Sequence, residues 1–528
     1  MYYYMFIDIE MLRRAWRPLT AATVALAAPS AYLYYGHRLP RFTAQETAQI
    51  TDWEVGPNNE PQEATRTIVL LPKDIVDQRL TENATIDSNH SSDGLVWKFS
   101  TAYIASNNPI EDTHAHAIVT RASTAFSTPG ELMFFTIMDG HAGPYTSQLL
   151  SKILIPAVCL KLANLVHERP SSKSYLDGFK SLIYRSKLTD PQSSVDPSPE
   201  AVSKAISKAF TDLDSEIIST PLQFLAESRA SMKSGAISTL LHHPMAVAAT
   251  QVAASGSCAL MAMIDTAKQD IYVACTGDSR AVAGVWEEAE DGGHWRVEAL
   301  SVDQSPSHPK ELKRLQDEHP DDDANDLVKA GRVLGVIAVA RAFGDARFKW
   351  SLQAQQAITE TFLPANKDLV KPIPLDFKSG TYITAMPEVT HRKLSLLANG
   401  TSTAKRSTLR FIVLASDGLW DELSSEDAVA LVGGFLAGLK GTKTKTELAA
   451  LVPTVANAED KTNRAEIKHD SWAFVDDNVG SHLIRNAFGG GDEATVRKTV
   501  SIPSPFSRNF RDDVTVTVVW WEEEKAAL

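Results

Sequence analysis

Several acids stand where apolar runs of the chain stop. Asp139 follows the run 134–138 and precedes Gly140 and His141, and Asp417 follows the run 411–416 and precedes Gly418. Asp278 sits beside Gly277 in a turn between two apolar runs, and Asp512 and Asp513 come directly before the run 514–521. Asp and Gly are ordinary turn residues, so any one of these positions has a plain structural reading. Their number changes the reading, because carboxylates gathered at strand ends repel one another unless a cation holds them together. A ligand set of oxygens, with no His or Cys among these acids, suits Mg²⁺ or Mn²⁺ rather than Zn²⁺. Two such ions sharing one carboxylate would acidify a water and aim it at phosphorus. Phosphoryl transfer asks little more of a protein than positioning and charge neutralisation. The spacing fits metal-assisted hydrolysis.

The elements that must carry these acids are short. Runs rich in β-branched and aromatic residues at 134–138, 259–264, 271–275, 281–286, 381–384, 411–415 and 514–521 read as strands. The consecutive runs around 265–270 and 276–279 read as an antiparallel meander. Helical periodicity lies between the runs, at about 145–167, 200–218, 310–318 and 425–439. Hairpin strands with inserted helices imply an α+β fold with helices covering sheet faces.

Composition narrows the function classes. The chain has 528 residues, 44% hydrophobic and 22% charged, enough for one large core or two ordinary ones. A net charge of −13 argues against nucleic-acid binding, which uses a basic face to neutralise phosphates. Three cysteines, Cys159, Cys258 and Cys275, lie in apolar surroundings without a CxxC pair, so neither a disulfide framework nor a thiolate zinc site is expected.

The first 41 residues read as an address. Arg13, Arg14 and Arg17 precede an apolar run at 18–36, closed by His37, Arg38 and Arg41. That is the profile of a mitochondrial presequence. The run is also long enough to span a bilayer, so cleavage, a single inner-membrane anchor and both in succession stay open, with a secretory signal as the alternative. Asp8 and Glu10 are foreign to a presequence, which points to translation starting at Met11. Residues 42–94 read as a polar linker with one ordered piece near 67–71, and the compact domain as 95–522.

Six segments carry a resemblance. FFTIMDGHAG (134–143), SGSCALMAMI (255–264), ACTGDSRAVAG (274–284), VARAFGD (339–345), FIVLASDGLWD (411–421) and RDDVTVTVV (511–519) occur in the order of the signature blocks of the metal-dependent protein phosphatases, type 2C. Within that family SNNPIED (106–112), TAMPEVTHRKL (384–394) and SHLIRNAFG (481–489) resemble most the mitochondrial pyruvate dehydrogenase phosphatase branch. The resemblance implies a central antiparallel β-sandwich flanked by helices on both faces, and hydrolysis of phosphoserine and phosphothreonine with Mg²⁺ or Mn²⁺. It implies that Asp139 bridges two ions and that the Gly140 carbonyl binds one of them. Glu111 would serve one ion directly or through water, with Asp112 behind it. Asp417 and Asp512 would complete the other shell, and Asp278 and Asp421 match a weaker third site. His141 matches a general acid for the leaving oxygen. Its alternative is to orient Asp139 or cap a helix.

Other positions have plainer readings. Asp513 reads as a solvated neighbour of Asp512, Asp345 as a loop cap or brace, and Trp420, Trp520 and Trp521 as packing. Many relatives place a phosphate-gripping arginine where this chain has Asn107, a departure shared with the pyruvate dehydrogenase phosphatase branch. Asn107 and Asn108 become the candidate phosphate contacts. Residues 440–505 read as an insertion able to meet a protein substrate. The expected partner is a phosphoprotein, with the pyruvate dehydrogenase complex first, in the mitochondrial matrix or at the inner membrane. Competing readings are a catalytically dead adaptor and a hydrolase of small phosphate esters. A kinase is unsupported, since neither a Gly-rich phosphate loop nor an HRD-type loop occurs.

Overall fold

The computed structural model describes residues 46–523 except 56–60, 92–93, 122–128, 167–196, 234–242, 291, 321, 323, 363–373, 375–376, 379, 395–406 and 456–468. The expected targeting segment 1–41, its apolar run 18–36 and the expected start at Met11 lie outside the described residues.

The stretch expected to be a linker holds structure. A hairpin of β1 (Thr47–Val55) and β2 (Pro61–Val69) is followed by helix α1 (Lys73–Thr81) and strand β3 (Thr85–His90). Polar composition hid them. Ile50 and Ile68 bury against Ile502, and Val76 and Leu80 join a larger core, so few apolar residues mark the segment.

The chain continues through β4 (Leu95–Ile104), β5 (Thr113–Arg121), β6 (Gly130–Met138), α2 (Tyr145–Val166), α3 (Pro199–Lys233) and α4 (Pro244–Ala254). Four meander strands follow: β7 (Ala259–Asp265), β8 (Asp270–Thr276), β9 (Arg280–Glu287) and β10 (His294–Ala299). Then come α5 (Pro309–Glu318), α6 (Leu352–Phe362), β11 (Glu388–Lys393), β12 (Ser407–Ala415) and α7 (Ser425–Leu436). The last part comprises β13 (Gly441–Thr444), α8 (Lys445–Leu451), β14 (Ser471–Phe474), α9 (Val479–Ala487), α10 (Glu493–Ser501) and β15 (Val514–Glu523).

Two sheets form the frame. One has the order β11-β8-β7-β6-β5, and the other runs from the two-residue strand Thr454–Val455 through β10-β9-β12-β15-β4-β3. The meander splits between them: β7 pairs with β8 in the first sheet, and β9 pairs with β10 in the second. Pairing is antiparallel throughout both sheets except where Thr454–Val455 runs parallel to β10.

Alternation of side chains places the layers. In β7, Leu260, Ala262 and Ile264 point one way and Ala259, Met261 and Met263 the other. The first set meets Ile412 and Leu414 of β12, Val519 of β15 and Trp97 and Phe99 of β4 in a dry layer between the sheets. The second set packs under Leu150, Leu154, Ile206 and Phe210 of α2 and α3. On the outer face of the other sheet, Phe411, Val413, Val516 and Val518 pack under Leu431, Leu483 and Ile484 of α7 and α9. Each such side chain contributes about 1.5–3 kcal/mol on burial. The result is the expected antiparallel sandwich with helices on both faces.

Two segments differ from the sequence reading. Residues 381–384 form no strand: Tyr382 and Ile383 enter a small core with Leu315 and Phe348, and Thr384 makes a single bridge to Arg341. A short buried run cannot be told from extended coil by periodicity. Residues 440–505 were read as an insertion, yet α9 within them covers β4 and β15. Helix α2 is long and apolar enough to cross a bilayer by length and composition, but its buried stripe lies on the first sheet.

Candidate active site

The acids gather at one end of the sandwich. Asp139 leaves β6, and Gly140 and His141 then pair antiparallel with Ser257 and Gly256, just before β7. Asp417 begins a single helical turn after β12, with Asp421 closing it. Asp278 turns the chain from β8 to β9, and Asp512 precedes β15. Oxygens of Asp139, Asp278 and Asp417 lie within 4.8 Å of one another. Asp139 ends a strand of the first sheet, Asp417 and Asp512 border strands of the second, and Asp278 links the two, so the acids meet where the ends of the two sheets face each other.

Glu111 and Asp112 arrive on the loop between β4 and β5. The Glu111 carbonyl packs so tightly on Gly140 that a Cβ there would sit 2.2 Å from its oxygen, which requires glycine. The Glu111 carboxylate accepts from Gly143 N at 2.5 Å and from Asn107 Nδ2 at 3.2 Å. Asp112 is buried behind the cluster, accepting from Ser416 Oγ at 2.7 Å.

The electrostatics are those of an uncompensated anionic site. Burial, then the neighbouring Asp417 charge, hold Asp139 well above the ordinary carboxylate range. Burial, then Asp278, do the same to Asp417. Burial raises Asp278 to about 6 and, with Asp513 adding, Asp112 to about 7. Glu111, Asp421 and Asp512 are also raised, chiefly by burial. Asp139 Oδ2 is buried without a hydrogen-bond partner. An orphaned carboxylate oxygen among like charges, in an all-oxygen set, fits a divalent cation.

His141 is held from the far side. Its Nε2 lies 2.6 Å from Asp345 Oδ2, with Asp345 almost fully buried. Burial opposes protonation of the ring, yet the Asp345 carboxylate outweighs it and raises the His141 pKa. Gly256 makes room, because a Cβ there would fall 2.0 Å from His141 Nε2. Asp345 itself has a left-handed backbone, φ 49°, uncommon for a residue with a side chain. Asp214 of α3 fixes the turn, accepting from Gly344 N at 2.8 Å and from Lys349 Nζ at 2.7 Å. Both partners are nearly buried, so Lys349→Met is expected to strand a charge and destabilise the fold by about 3–5 kcal/mol. Urea unfolding of the variant against the native chain measures it.

Three roles escaped sequence reading. Asp513 is buried rather than solvated: its carboxylate takes Ser106 N, Asn107 N and Glu111 N at 2.6, 2.9 and 2.8 Å, folding the loop that delivers Glu111. Asp345 does more than brace a loop, since it grips His141. Cys258 Sγ donates to Asp278 Oδ1 at 3.2 Å. A run of backbone donors cannot be seen in sequence; a second acid beside Asp512 was the available signal. Asn107 lies in the site, but its amide is spent on Glu111 and on Asp513 at 3.1 Å. Asn108 is exposed in the same loop.

Comparison with known proteins agrees with this geometry. Residues 105–464, more than half of the chain, match the family model for protein phosphatase 2C. A protein phosphatase 2C homolog of Schizosaccharomyces pombe is 33% identical over 85% of this chain and 86% of its own. The mitochondrial pyruvate dehydrogenase (acetyl-transferring) phosphatase 1 of Saccharomyces cerevisiae is 31% identical over 81% of this chain and 69% of its own. The human phosphatase of that name is 31% identical over 80% and 77%. The acid cluster thus stands in a chain that belongs to the protein phosphatase 2C family, a protein-serine/threonine phosphatase with relatives among the mitochondrial pyruvate dehydrogenase phosphatases.

Proposed function

We propose that this phosphatase uses Mg²⁺ or Mn²⁺ to hydrolyse phosphoserine and phosphothreonine on mitochondrial proteins, the pyruvate dehydrogenase complex foremost. The observation that carries the metal is the buried, unpartnered Asp139 Oδ2 inside a cluster of half-buried acids. The relatives named above carry the substrate and the location, and the Arg13, Arg14, Arg17 segment agrees with them.

Two ions would supply an acidified water and neutralise charge at phosphorus. Asp139 would help hold both ions, with the Gly140 carbonyl and Glu111 as further holders of one and Asp417 and Asp512 of the other. Asp278 and Asp421 belong to a weaker third position, and the proximity of Asp278 to Asp139 and Asp417 also admits it to the main group. Asp112, locked by Ser416, stands behind Glu111. His141 has Nε2 engaged by Asp345, so the proton it offers the leaving serine or threonine oxygen is the one at Nδ1.

The test is phosphate release by the purified chain from phosphorylated pyruvate dehydrogenase with Mg²⁺, Mn²⁺ or chelator. Metal-dependent release that chelator stops is expected. Release from other phosphoproteins alone keeps the chemistry and discards this substrate. Release only from small esters, or silence on every phosphoprotein, turns the reading to an ester hydrolase or an adaptor.

A further inference from the structure

The site has seven acids whose pKa burial raises, so besides the metal ions a side-chain cation would help admit a phosphate dianion, and Asn107 supplies none. Two other arginines near the cluster are committed. Arg280 is buried with Nε on Asp303 at 2.8 Å, and Arg511 donates to the Ala105 carbonyl at 2.8 Å while its guanidinium lies over Phe488.

Arg508 differs. It lies on the single turn Phe506–Asn509, and its side chain is 49% exposed with Nη1 on Asp512 Oδ2 at 2.5 Å. Its charge also reaches Glu111 and Asp421, lowering the pKa of each against burial. The guanidinium is thus half exposed to solvent while it touches Asp512. The turn is stitched to the loop that carries Asn107: Ser507 Oγ donates to the Ser106 carbonyl, and Ser106 Oγ to the Arg511 carbonyl, both at 2.6 Å.

We propose that Arg508 is the phosphate anchor of this site, gripping the phosphoryl oxygens from the C-terminal turn in place of a group at position 107. The inference rests on the function proposed above. Asp512 takes one guanidinium N–H, which leaves the rest of a five-donor fork for phosphoryl oxygens. Asp512 sets the fork's direction, and the stitched turn limits how far it can swing.

Arg508→Ala and Arg508→Lys are compared with the native full chain. Calorimetry reads inorganic phosphate binding to the Mn²⁺-loaded proteins and Mn²⁺ binding without phosphate, and kinetics on a phosphoserine peptide separate KM from kcat. Arg508→Ala is expected to weaken phosphate binding and raise KM by about tenfold or more, with Mn²⁺ affinity unchanged. Arg508→Lys falls between, because it keeps the charge and loses the fork. Should the Ala variant not fold, the Lys variant carries the same comparison. Unchanged phosphate affinity, or a loss of Mn²⁺ affinity as large as that for phosphate, overturns the proposal and leaves Arg508 a brace for Asp512. A native chain that binds phosphate through Arg508 but leaves every phosphopeptide intact would instead remove the proposed function and spare this inference.

Discussion

Asp417→Asn is expected to cut phosphatase activity by about a thousandfold or more while the fold stays intact. The carboxylate is half-buried and within 4.8 Å of Asp139 and Asp278, so the change removes a charge from the point where a divalent cation would be held. Near-native turnover at saturating Mn²⁺ would refute that role. Stability should move the opposite way. Burial and the neighbouring acids already push Asp417 well above its ordinary range, so the metal-free variant should resist urea better than the metal-free native chain. Mn²⁺ should then stabilise the native chain and have little effect on the variant.

The same crowding sets a pH dependence. Asp278 and Asp112 have folded values of about 6 and about 7, above the ordinary 3.8. Carboxylates raised by folding stabilise most at low pH, and that contribution is lost as pH rises through the folded values. Without metal, the cluster's share of stability should therefore fall between pH 4 and about 7, and excess Mn²⁺ should reverse the trend. Denaturant midpoints at several pH values, with and without Mn²⁺, read both signs.

His141→Ala is expected to lower kcat on a phosphoprotein by about 100- to 10,000-fold, and by much less on an aryl phosphate. A serine or threonine alkoxide is a poor leaving group that needs a proton, whereas a phenolate leaves with little help. An equal loss on both substrates would make His141 structural. Asp345→Asn tests the support behind the ring, since the amide keeps a hydrogen-bonding group at 2.6 Å and loses the charge that favours imidazolium. Its loss should be smaller than that of His141→Ala and show the same bias toward the alkyl leaving group.

The acids at strand ends were legible because each combines a strong apolar run with an Asp next to a Gly or an Asp-Asp pair at its border. Asp139, Asp278, Asp417 and Asp512 needed no pairing information to be noticed, and the strand order explains why they meet. The β7–β8 hairpin was legible too, but not that the chain changes sheet at the Asp278 turn, which leaves β8 and β9 unpaired with each other. Contacts made by side chains to distant backbone were not. Asp513 looked like a spare acid because its partners, Ser106, Asn107 and Glu111, are about 400 positions away. Asp345 looked like a loop brace because nothing local reveals that His141 lies across Gly256. Residues 46–90 were misread for a different reason, that a hairpin with little buried surface has little apolar signal.

The place of β15 has a consequence for how the enzyme comes into being. It lies inside its sheet, between β12 and β4, and its approach carries Asp512 and Asp513. Until that strand arrives, β12 and β4 face each other across an open slot with unpaired backbone, a configuration prone to wrong partners. A ribosome that has made everything up to residue 505 has therefore made neither a finished sheet nor a finished active site. With Asp512 as the metal holder proposed above, a chain terminated before that residue is expected to release no phosphate from a phosphoprotein.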